Sequence, residues 1–331
     1  PFPLFARAQV AMSCPKEGLA SGSRASRTPP ASCPLLALHL LLYCPRFAST
    51  KERARALSLH HDMTASSAAA PASPLFPPDH ARRFGGASRL YGAEGARRIA
   101  DSHVVVVGIG GVGSWAAEAL ARTGVGRLTL IDMDHVAESN INRQIHATDA
   151  TIGQAKIEAM RERIASYHPE AHVQGIDDFV TPDNWETLVP ADATAVIDAC
   201  DQVAAKTAMA VWARRSRTPL VTVGAAGGKE LAHLVDVDDL ARVTHDPLLA
   251  QLRYRLRRHH GAPREGKTIG VTCVFSREAV RMPAAPETSC DASPASDGTL
   301  NCHGYGSAVA VTATFGMSAA GWVLKKIASS C

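Results

Sequence analysis

Short apolar runs and helical patterns alternate along the chain from about residue 103. Residues 104–107 are four consecutive valines, and residues 128–132 form a second apolar run. Between them, residues 114–123 have the composition of a helix, so the pattern predicts a strand–helix–strand unit. A second helix is predicted at residues 154–167, because three large apolar residues recur there on one helical face: Ile157, Met160 and Ile164.

Further strands are predicted at residues 173–176, 195–198 and 220–223, with helices at 184–188 and 203–215 between them. This repeated order predicts an α/β fold with a doubly wound, largely parallel sheet and a Rossmann-like nucleotide-binding half. Ligands of such folds bind beyond the carboxyl ends of the strands. Strand-like residues 231–237 and 271–280, joined by an Arg-rich segment, predict an appended C-terminal layer on the same domain.

The N-terminal region differs from the rest in composition. Residues 1–80 mix Pro, Ser, Ala and Arg with little periodicity, and we predict a disordered or non-native extension there, with Met63 as a candidate start. The folded domain is predicted at residues 81–327. Residues 308–324 contain 17 uncharged residues, but a membrane span needs about 20 predominantly apolar ones. We therefore predict a buried helix and no membrane association.

Composition narrows the class of protein only slightly. The 331 residues are 46% hydrophobic, enough for a large core, and the net charge of +4 permits contact with nucleic acid without requiring it. The eight cysteines form no C-x-x-C pair, which argues against a zinc or disulfide framework. Scattered cysteines of this kind are typical of a reduced, cytoplasmic protein.

A glycine loop follows the valine strand directly and opens the next helix. Its glycines are Gly108, Gly110, Gly111 and Gly113. They allow the backbone to approach phosphate groups closely, and Asp132, 19 residues after Gly113, can accept hydrogen bonds from ribose hydroxyls. On its own, this fingerprint is shared with nicotinamide- and flavin-binding proteins.

Charged residues after the second strand point to phosphate chemistry. Arg143, in Ser139-Asn140-Ile141-Asn142-Arg143-Gln144, and Lys156, in the first turn of its helix, form a candidate cation pair. Such a pair stabilises the charge that develops when an α-phosphate is attacked. Asp198 and Asp201 end the strand at residues 195–198, and we predict Asp201 as a Mg²⁺ carboxylate and Asp198 as a supporting or structural one.

These motifs, in this order, resemble the ubiquitin-activating superfamily. The resemblance implies that Arg143 and Lys156 contact ATP phosphates, that Asn140 supports the phosphates with Ser139 beside it, and that Asp201 serves Mg²⁺. Asp132 would then bind the ribose. We therefore expect an ATP-dependent, adenylate-forming enzyme whose catalytic residues are Arg143, Lys156 and Asp201.

Within the superfamily the chain is most similar to the threonylcarbamoyladenosine dehydratases, over about residues 82–327. The stretches that carry this similarity are residues 83–86, 89–92, 106–124, 178–184, 273–276 and 311–316. The resemblance implies a tRNA substrate whose threonyl carboxylate is adenylated and then cyclised. It also implies a homodimer in which an N-terminal arginine reaches the partner's ATP, with Arg89 as the candidate, and it leaves room for a sulfur-relay protein partner.

Two further features have both structural and functional interpretations. Cys273 is a candidate thiol for thioester chemistry, but cyclisation does not require one, and a buried structural cysteine is the favoured interpretation. The Arg-rich segment contains candidate tRNA contacts at Arg253, Arg257 and Arg258. A solvated helix end explains these arginines equally well.

Three other functions stay open at this point. An adenylyltransferase for a ubiquitin-like sulfur carrier would share the whole ATP site, although such enzymes usually carry paired C-x-x-C motifs. A nicotinamide-dependent oxidoreductase is disfavoured by Arg143, Lys156 and Asp201. A tRNA-binding or sulfur-relay scaffold without activity is disfavoured by the intact charged residues.

Overall fold

The computed structural model describes residues 79–264, 266–281 and 305–330. Residues 1–78 of the extension predicted at residues 1–80 lie outside them, and its last residue, His80, begins α1. The helices are α1 (His80–Asp101), α2 (Gly113–Arg122), α3 (Lys156–Ala165), α4 (Trp185–Leu188), α5 (Val203–Ser216), α6 (Pro247–His259) and α7 (Val309–Ser329). The strands are β1 (His103–Val107), β2 (Arg127–Ile131), β3 (His172–Ile176), β4 (Ala195–Asp198), β5 (Leu220–Val223), β6 (Val235–Asp239) and β7 (Thr272–Ser276).

The seven strands form one sheet in the order β3-β2-β1-β4-β5-β7-β6. Neighbouring strands are parallel except for the β6–β7 pair, which is antiparallel. The strand order reverses between β1 and β4, and ligands of doubly wound sheets bind at such a point. The predicted fold class is therefore confirmed, including the largely parallel sheet.

Helices cover both faces of the sheet, and the valines of β1 point alternately into the two cores. Val104 and Val106 pack in a core with residues of α2 and α7, among them Leu120 and Phe315. Val105 and Val107 pack in a second core with residues of α5 and α6 on the opposite face: Met209, Leu249 and Leu252. A strand buried on both faces reads as a continuous apolar run, which is why β1 was visible in the sequence.

Helix α7 occupies the uncharged run near the C-terminus. Its residues Phe315, Ala319 and Val323 are fully buried in the first core, and Gly316 lies so close to α2 that a Cβ atom there would overlap the carbonyl oxygen of Val112. The predicted buried helix is present. Within the described part of the chain, no helix combines the length and apolar character that a membrane crossing requires.

The structure corrects several details of the predicted elements. The strand predicted at residues 231–237 lies further along, at Val235–Asp239, after a short 3₁₀ turn. Helix α1 was not predicted; it contains a break at Gly92 (φ 76°), and its several glycines hide its periodicity. The Arg-rich segment is a helix, α6, which Asp246 starts by accepting a hydrogen bond from Leu249 N. The predicted strand at residues 271–280 ends earlier, at Ser276, whose hydroxyl accepts a hydrogen bond from Glu278 N in the turn that follows.

Candidate active site

The glycine loop connects the end of β1 to the start of α2 at the reversal of strand order. Gly108 has a φ of 84°, and a Cβ atom there would lie 2.9 Å from the carbonyl oxygen of Ala199, just beyond β4. A Cβ atom on Gly113 would overlap the carbonyl oxygen of Gly108. The loop therefore closes on itself and on the end of β4, and these two positions accept only glycine. At Gly110 the nearest atom to an added Cβ is 4.0 Å away, so that side of the loop is open.

Asp132 connects the glycine loop to the end of β2. Its Oδ2 accepts a hydrogen bond from Ile109 N at 2.6 Å, and its Oδ1 accepts one from Asp134 N at 2.8 Å. Burial raises the pKa of Asp132, while the positive charge of Lys156 acts in the opposite direction. The carboxylate proposed for the ribose thus also holds the loop in place.

Arg143 lies against the glycine loop. A Cβ atom on Gly111 would be 3.2 Å from Arg143 Cγ, and Trp115 Nε1 donates a hydrogen bond to the Arg143 carbonyl at 2.9 Å. Arg143 Nη1 donates to the Ser139 carbonyl at 2.8 Å and to Asn142 Oδ1 at 3.0 Å, which leaves Nη2 and Nε for a ligand within the described structure. Asn140 is buried, and its Oδ1 accepts a hydrogen bond from Ala137 N. Asn140 therefore shapes the turn that presents Arg143.

Lys156 is the first residue of α3, and its side chain is only 8% exposed. Its Nζ donates to Asp134 Oδ2 at 2.6 Å, whereas the Asp134 side chain is 56% exposed. Burial, followed by the charge of Lys156, lowers the pKa of the neighbouring His146 to about 4. Lys156 therefore places a buried positive charge next to the carboxylates that follow β2.

The two aspartates at the end of β4 and just beyond it occupy different environments. Asp198 is fully buried: Lys206 Nζ donates to its Oδ1 at 3.1 Å, and the Thr222 hydroxyl donates to its Oδ2. Asp201 is exposed, three residues further along the chain. Asp198 is thus a structural carboxylate that fixes the end of β4, and Asp201 is the carboxylate accessible to a ligand.

The structure brings most of the predicted site residues together at the carboxyl ends of the central parallel strands. The glycine loop contacts Asp132 through Ile109, Arg143 through Gly111 and the segment leading to Asp201 through Gly108. Lys156 joins the group through Asp134, which accepts a hydrogen bond from Lys156 Nζ and whose backbone N–H donates to Asp132. A glycine loop at a helix start, with an arginine and a lysine beside it, suits the binding of nucleotide phosphates.

Other predicted residues lie elsewhere. Cys273 is fully buried in β7, and burial raises the pKa of its thiol well above the ordinary value, so it is a poor nucleophile in this conformation. Arg89 is exposed on α1. On α6, Arg253 is half-buried and donates to two carbonyl oxygens, Arg257 is half-buried, and Arg258 is exposed beside Tyr254.

The buried lysine Lys206 was missed by the sequence analysis. Its Nζ also donates to the Val223 carbonyl at 2.8 Å, so it joins the ends of β4 and β5. Although burial alone would lower it, the pKa of Lys206 is raised by the negative charge of Asp198. A single charge in the otherwise apolar stretch at residues 203–213 was the available signal.

A doubly wound sheet with this glycine loop and cation pair defines a nucleotide-binding protein of the adenylate-forming type. The model of the ThiF family matches residues 86–330, and the chain belongs to this family. It is 49% identical to the tRNA threonylcarbamoyladenosine dehydratase of Escherichia coli over 250 residues, 74% of this chain and 93% of that protein. The predicted resemblance to these dehydratases is confirmed.

Solved structures of the E. coli dehydratase are similar to this chain as well. One, a complex with ATP, matches with a TM-score of 0.66 at 47% identity, covering 75% of this chain and 94% of that one. Another, a complex with AMP, matches with a TM-score of 0.67 at 47% identity, covering 77% and 97%. The molybdopterin-synthase adenylyltransferase of Salmonella typhimurium is more distant, at 36% identity over 42% of this chain and 55% of that protein.

Proposed function

We propose that this protein is an ATP-dependent tRNA threonylcarbamoyladenosine dehydratase. The observation that carries the proposal is the contact of Arg143 with the glycine loop, with Lys156 held by Asp134 beside Asp132 at the carboxyl end of the same strands. The chain is similar to the E. coli dehydratase over nearly the whole length of that enzyme. A tRNA substrate agrees with the predicted cytoplasmic location.

The proposed reaction begins with adenylation of the threonyl carboxylate. The carboxylate oxygen attacks the α-phosphorus of ATP, the bond to the bridging oxygen breaks, and pyrophosphate leaves with the electron pair. In this proposal Arg143, against the glycine loop, and Lys156, beside Asp134, stabilise the negative charge that develops on the phosphoryl oxygens. The carbamoyl group of the same nucleoside then attacks the acyl-adenylate, loses a proton and expels AMP. Because both groups belong to one nucleoside, proximity accelerates the ring closure.

Mg²⁺ is the proposed companion of ATP, with Asp201 as its protein ligand. Among the residues that the structure describes, no three His, Cys, Asp or Glu side chains cluster as a metal site. One exposed carboxylate beside a phosphate site fits Mg²⁺, which is commonly held by one or two carboxylates together with substrate phosphates and water. When bound, the cation would neutralise charge on the phosphates.

Replacing Asp201 by asparagine should raise the Mg²⁺ concentration needed for half-maximal adenylation by roughly ten-fold or more, by analogy with the loss of a supporting partner at a metal site. The measurement is a Mg²⁺ titration of AMP formation at saturating ATP. Asp183→Asn, an exposed aspartate in the loop before α4, is the matched control and should leave the titration unchanged. An unshifted titration for Asp201→Asn would exclude this carboxylate as the ligand.

A homodimer is the proposed assembly, with Arg89 reaching the ATP of the partner subunit. On α1, Arg89 is exposed and the adjacent Leu90 is 75% exposed, an apolar surface that a partner could cover. A sulfur-relay protein stays a second candidate partner. The molar mass in solution, measured for the native chain and for Leu90→Asp, tests the homodimer.

The direct test of function is incubation with ATP, Mg²⁺ and tRNA that carries threonylcarbamoyladenosine. Mass analysis of the recovered nucleoside should show the loss of one water, in equal amount to the AMP released. Omitting ATP is the control for spontaneous cyclisation. An unchanged nucleoside alongside active protein would refute the proposal.

The second candidate is an adenylyltransferase for a ubiquitin-like sulfur carrier, which the more distant likeness to the molybdopterin-synthase enzyme supports. ATP–pyrophosphate exchange separates the two functions. Exchange stimulated by modified tRNA favours the dehydratase, and exchange stimulated by a carrier protein with a C-terminal glycine favours the adenylyltransferase.

A further inference from the structure

Positive charge is concentrated in one segment of the chain. Residues 253–267 contain six basic residues and one acidic residue, a net charge of +5, whereas the whole chain carries +4. The rest of the molecule is therefore close to neutral. Clusters of this kind are typical of surfaces that bind polyanions. Because like charges repel each other, such a cluster is unfavourable unless an anion neutralises it.

Part of this segment lines a cavity of about 460 Å³. Three elements form its walls: α6, the loop at residues 241–244 after β6, and the loop at residues 266–268 before β7. Arg253 and Arg257 come from α6, Arg242 from the first loop and Lys267 from the second. The described lining residues include no carboxylate. A small cavity with four cations suits a compact anion better than an apolar ligand.

The cations of the cavity are held in place by the fold. Arg253 Nη1 donates to the carbonyls of Leu240 at 3.0 Å and Val243 at 2.9 Å, and the two arginines that line the cavity, Arg253 and Arg257, are half-buried. Arg257 Nε donates to the Pro263 carbonyl at 3.2 Å, which leaves its two terminal nitrogens for a ligand within the described structure. Arg242, in contrast, is already paired with Asp238. Arg257 and Lys267 are thus the cations available to bind an anion.

The cavity is separate from the nucleotide site. It lies where β7 begins, whereas the glycine loop lies where β1 ends. These two strands run in the same direction, so the cavity and the glycine loop lie at opposite ends of the strands. Three strands, β4, β5 and β7, separate β1 from β6 in the sheet. With about 4.8 Å between strands and about 3.3 Å per residue along them, the separation is on the order of 25 Å. One ATP molecule cannot occupy both sites, but a folded RNA can reach both.

We propose that this cavity binds a backbone phosphate of the RNA substrate, at a distance from the reacting nucleoside. The inference rests on the proposed function, because that function supplies the RNA. Arg257 offers a planar pair of donors to the phosphate oxygens and Lys267 a mobile point charge. Such a contact orients the RNA without reading its sequence.

The test compares Arg257→Gln and Lys267→Gln with Arg255→Gln, measuring tRNA affinity by fluorescence anisotropy over a range of salt concentrations. Arg255 lies on the same helix and is exposed, but it does not line the cavity, so it controls for the loss of one charge. Each cavity variant should bind tRNA about ten-fold more weakly and lower the slope of log affinity against log salt by about one. Arg255→Gln should stay within about two-fold of the native chain. Lys267 is exposed on a loop, so Lys267→Gln keeps the test informative if Arg257→Gln does not fold.

Equal affinity of the native chain and the two cavity variants would overturn the inference, as would an equal loss in all three variants, which would indicate a diffuse basic surface. Inorganic phosphate, added in place of chloride at matched ionic strength, separates an RNA site from a site for free phosphate. Phosphate that raises the melting temperature of the native chain, without any effect of the variants on tRNA affinity, would also overturn it. AMP formation by the native chain with modified tRNA at saturating concentration reports on the proposed function independently of these variants.

Discussion

Lys156→Met should lower the rate of AMP formation by on the order of 10²–10³-fold, while tRNA affinity stays within about two-fold. The ammonium group is buried at the edge of the sheet where the glycine loop lies, so its charge acts on bound phosphate with little screening by water. Methionine keeps most of the side-chain volume but removes the ammonium group, with its charge and its hydrogen-bond donors. The measurement is single-turnover AMP formation with modified tRNA.

The fold should tolerate this substitution because the partner of Lys156 does not become a buried, unpaired charge. Asp134 is 56% exposed and stays hydrated when the lysine is gone. Lys325→Met, on the exposed side of α7, is the matched control for the loss of one positive charge. A native rate of AMP formation in Lys156→Met would remove the lysine from the catalytic machinery and leave Arg143 as the only predicted cation there.

Lys206→Met should lower the free energy of unfolding by about 3–5 kcal/mol, because it leaves Asp198 as an uncompensated buried charge. Both side chains of this ion pair are 0% exposed, so water cannot take the place of the ammonium group. The loop that carries Asp201 begins at the same strand end. We therefore expect the Lys206→Met variant to lose Mg²⁺-dependent AMP formation at temperatures below those at which the whole domain unfolds. Urea denaturation followed by circular dichroism measures the change.

The double variant Lys206→Met/Asp198→Asn separates charge from packing. Asparagine keeps an oxygen for the Thr222 hydroxyl but carries no charge, so the double variant should recover a substantial part of the lost stability. If the single and double variants were equally unstable, the loss would come from the hydrogen bonds that Lys206 makes to backbone carbonyls. A loss below about 1 kcal/mol in the single variant would contradict the buried-charge argument altogether.

The central strands and the glycine loop were predictable because each is marked by residues that are adjacent in the sequence. β4 and β5 appear in the sequence as short apolar runs at their observed positions, since strands buried on both faces contain few polar residues. The glycine loop was predictable for a related reason. Gly108 and Gly113 lie where backbone atoms leave no room for a side chain, so their spacing reflects the geometry of the loop itself.

Features that depend on tertiary packing were not predictable in the same way. Helix α1 has weak periodicity, and its position follows from contacts far along the chain, such as that of Gly95 with Ala328. Asp198 and Asp201 look alike in the sequence, and only burial separates the structural carboxylate from the accessible one. The same holds for Arg255 and Arg257, two residues apart on α6, of which only Arg257 lines the cavity.

The contact between Lys156 and Asp134 makes nucleotide capture an exchange of partners. In this conformation the ammonium group already holds a carboxylate at 2.6 Å, so an incoming phosphate has to compete with it. The affinity that Lys156 contributes is then a difference between two contacts and not the full strength of either one. Multiply charged ligands win such a competition more readily than singly charged ones. A site of this design discriminates against weakly charged anions before any reaction begins.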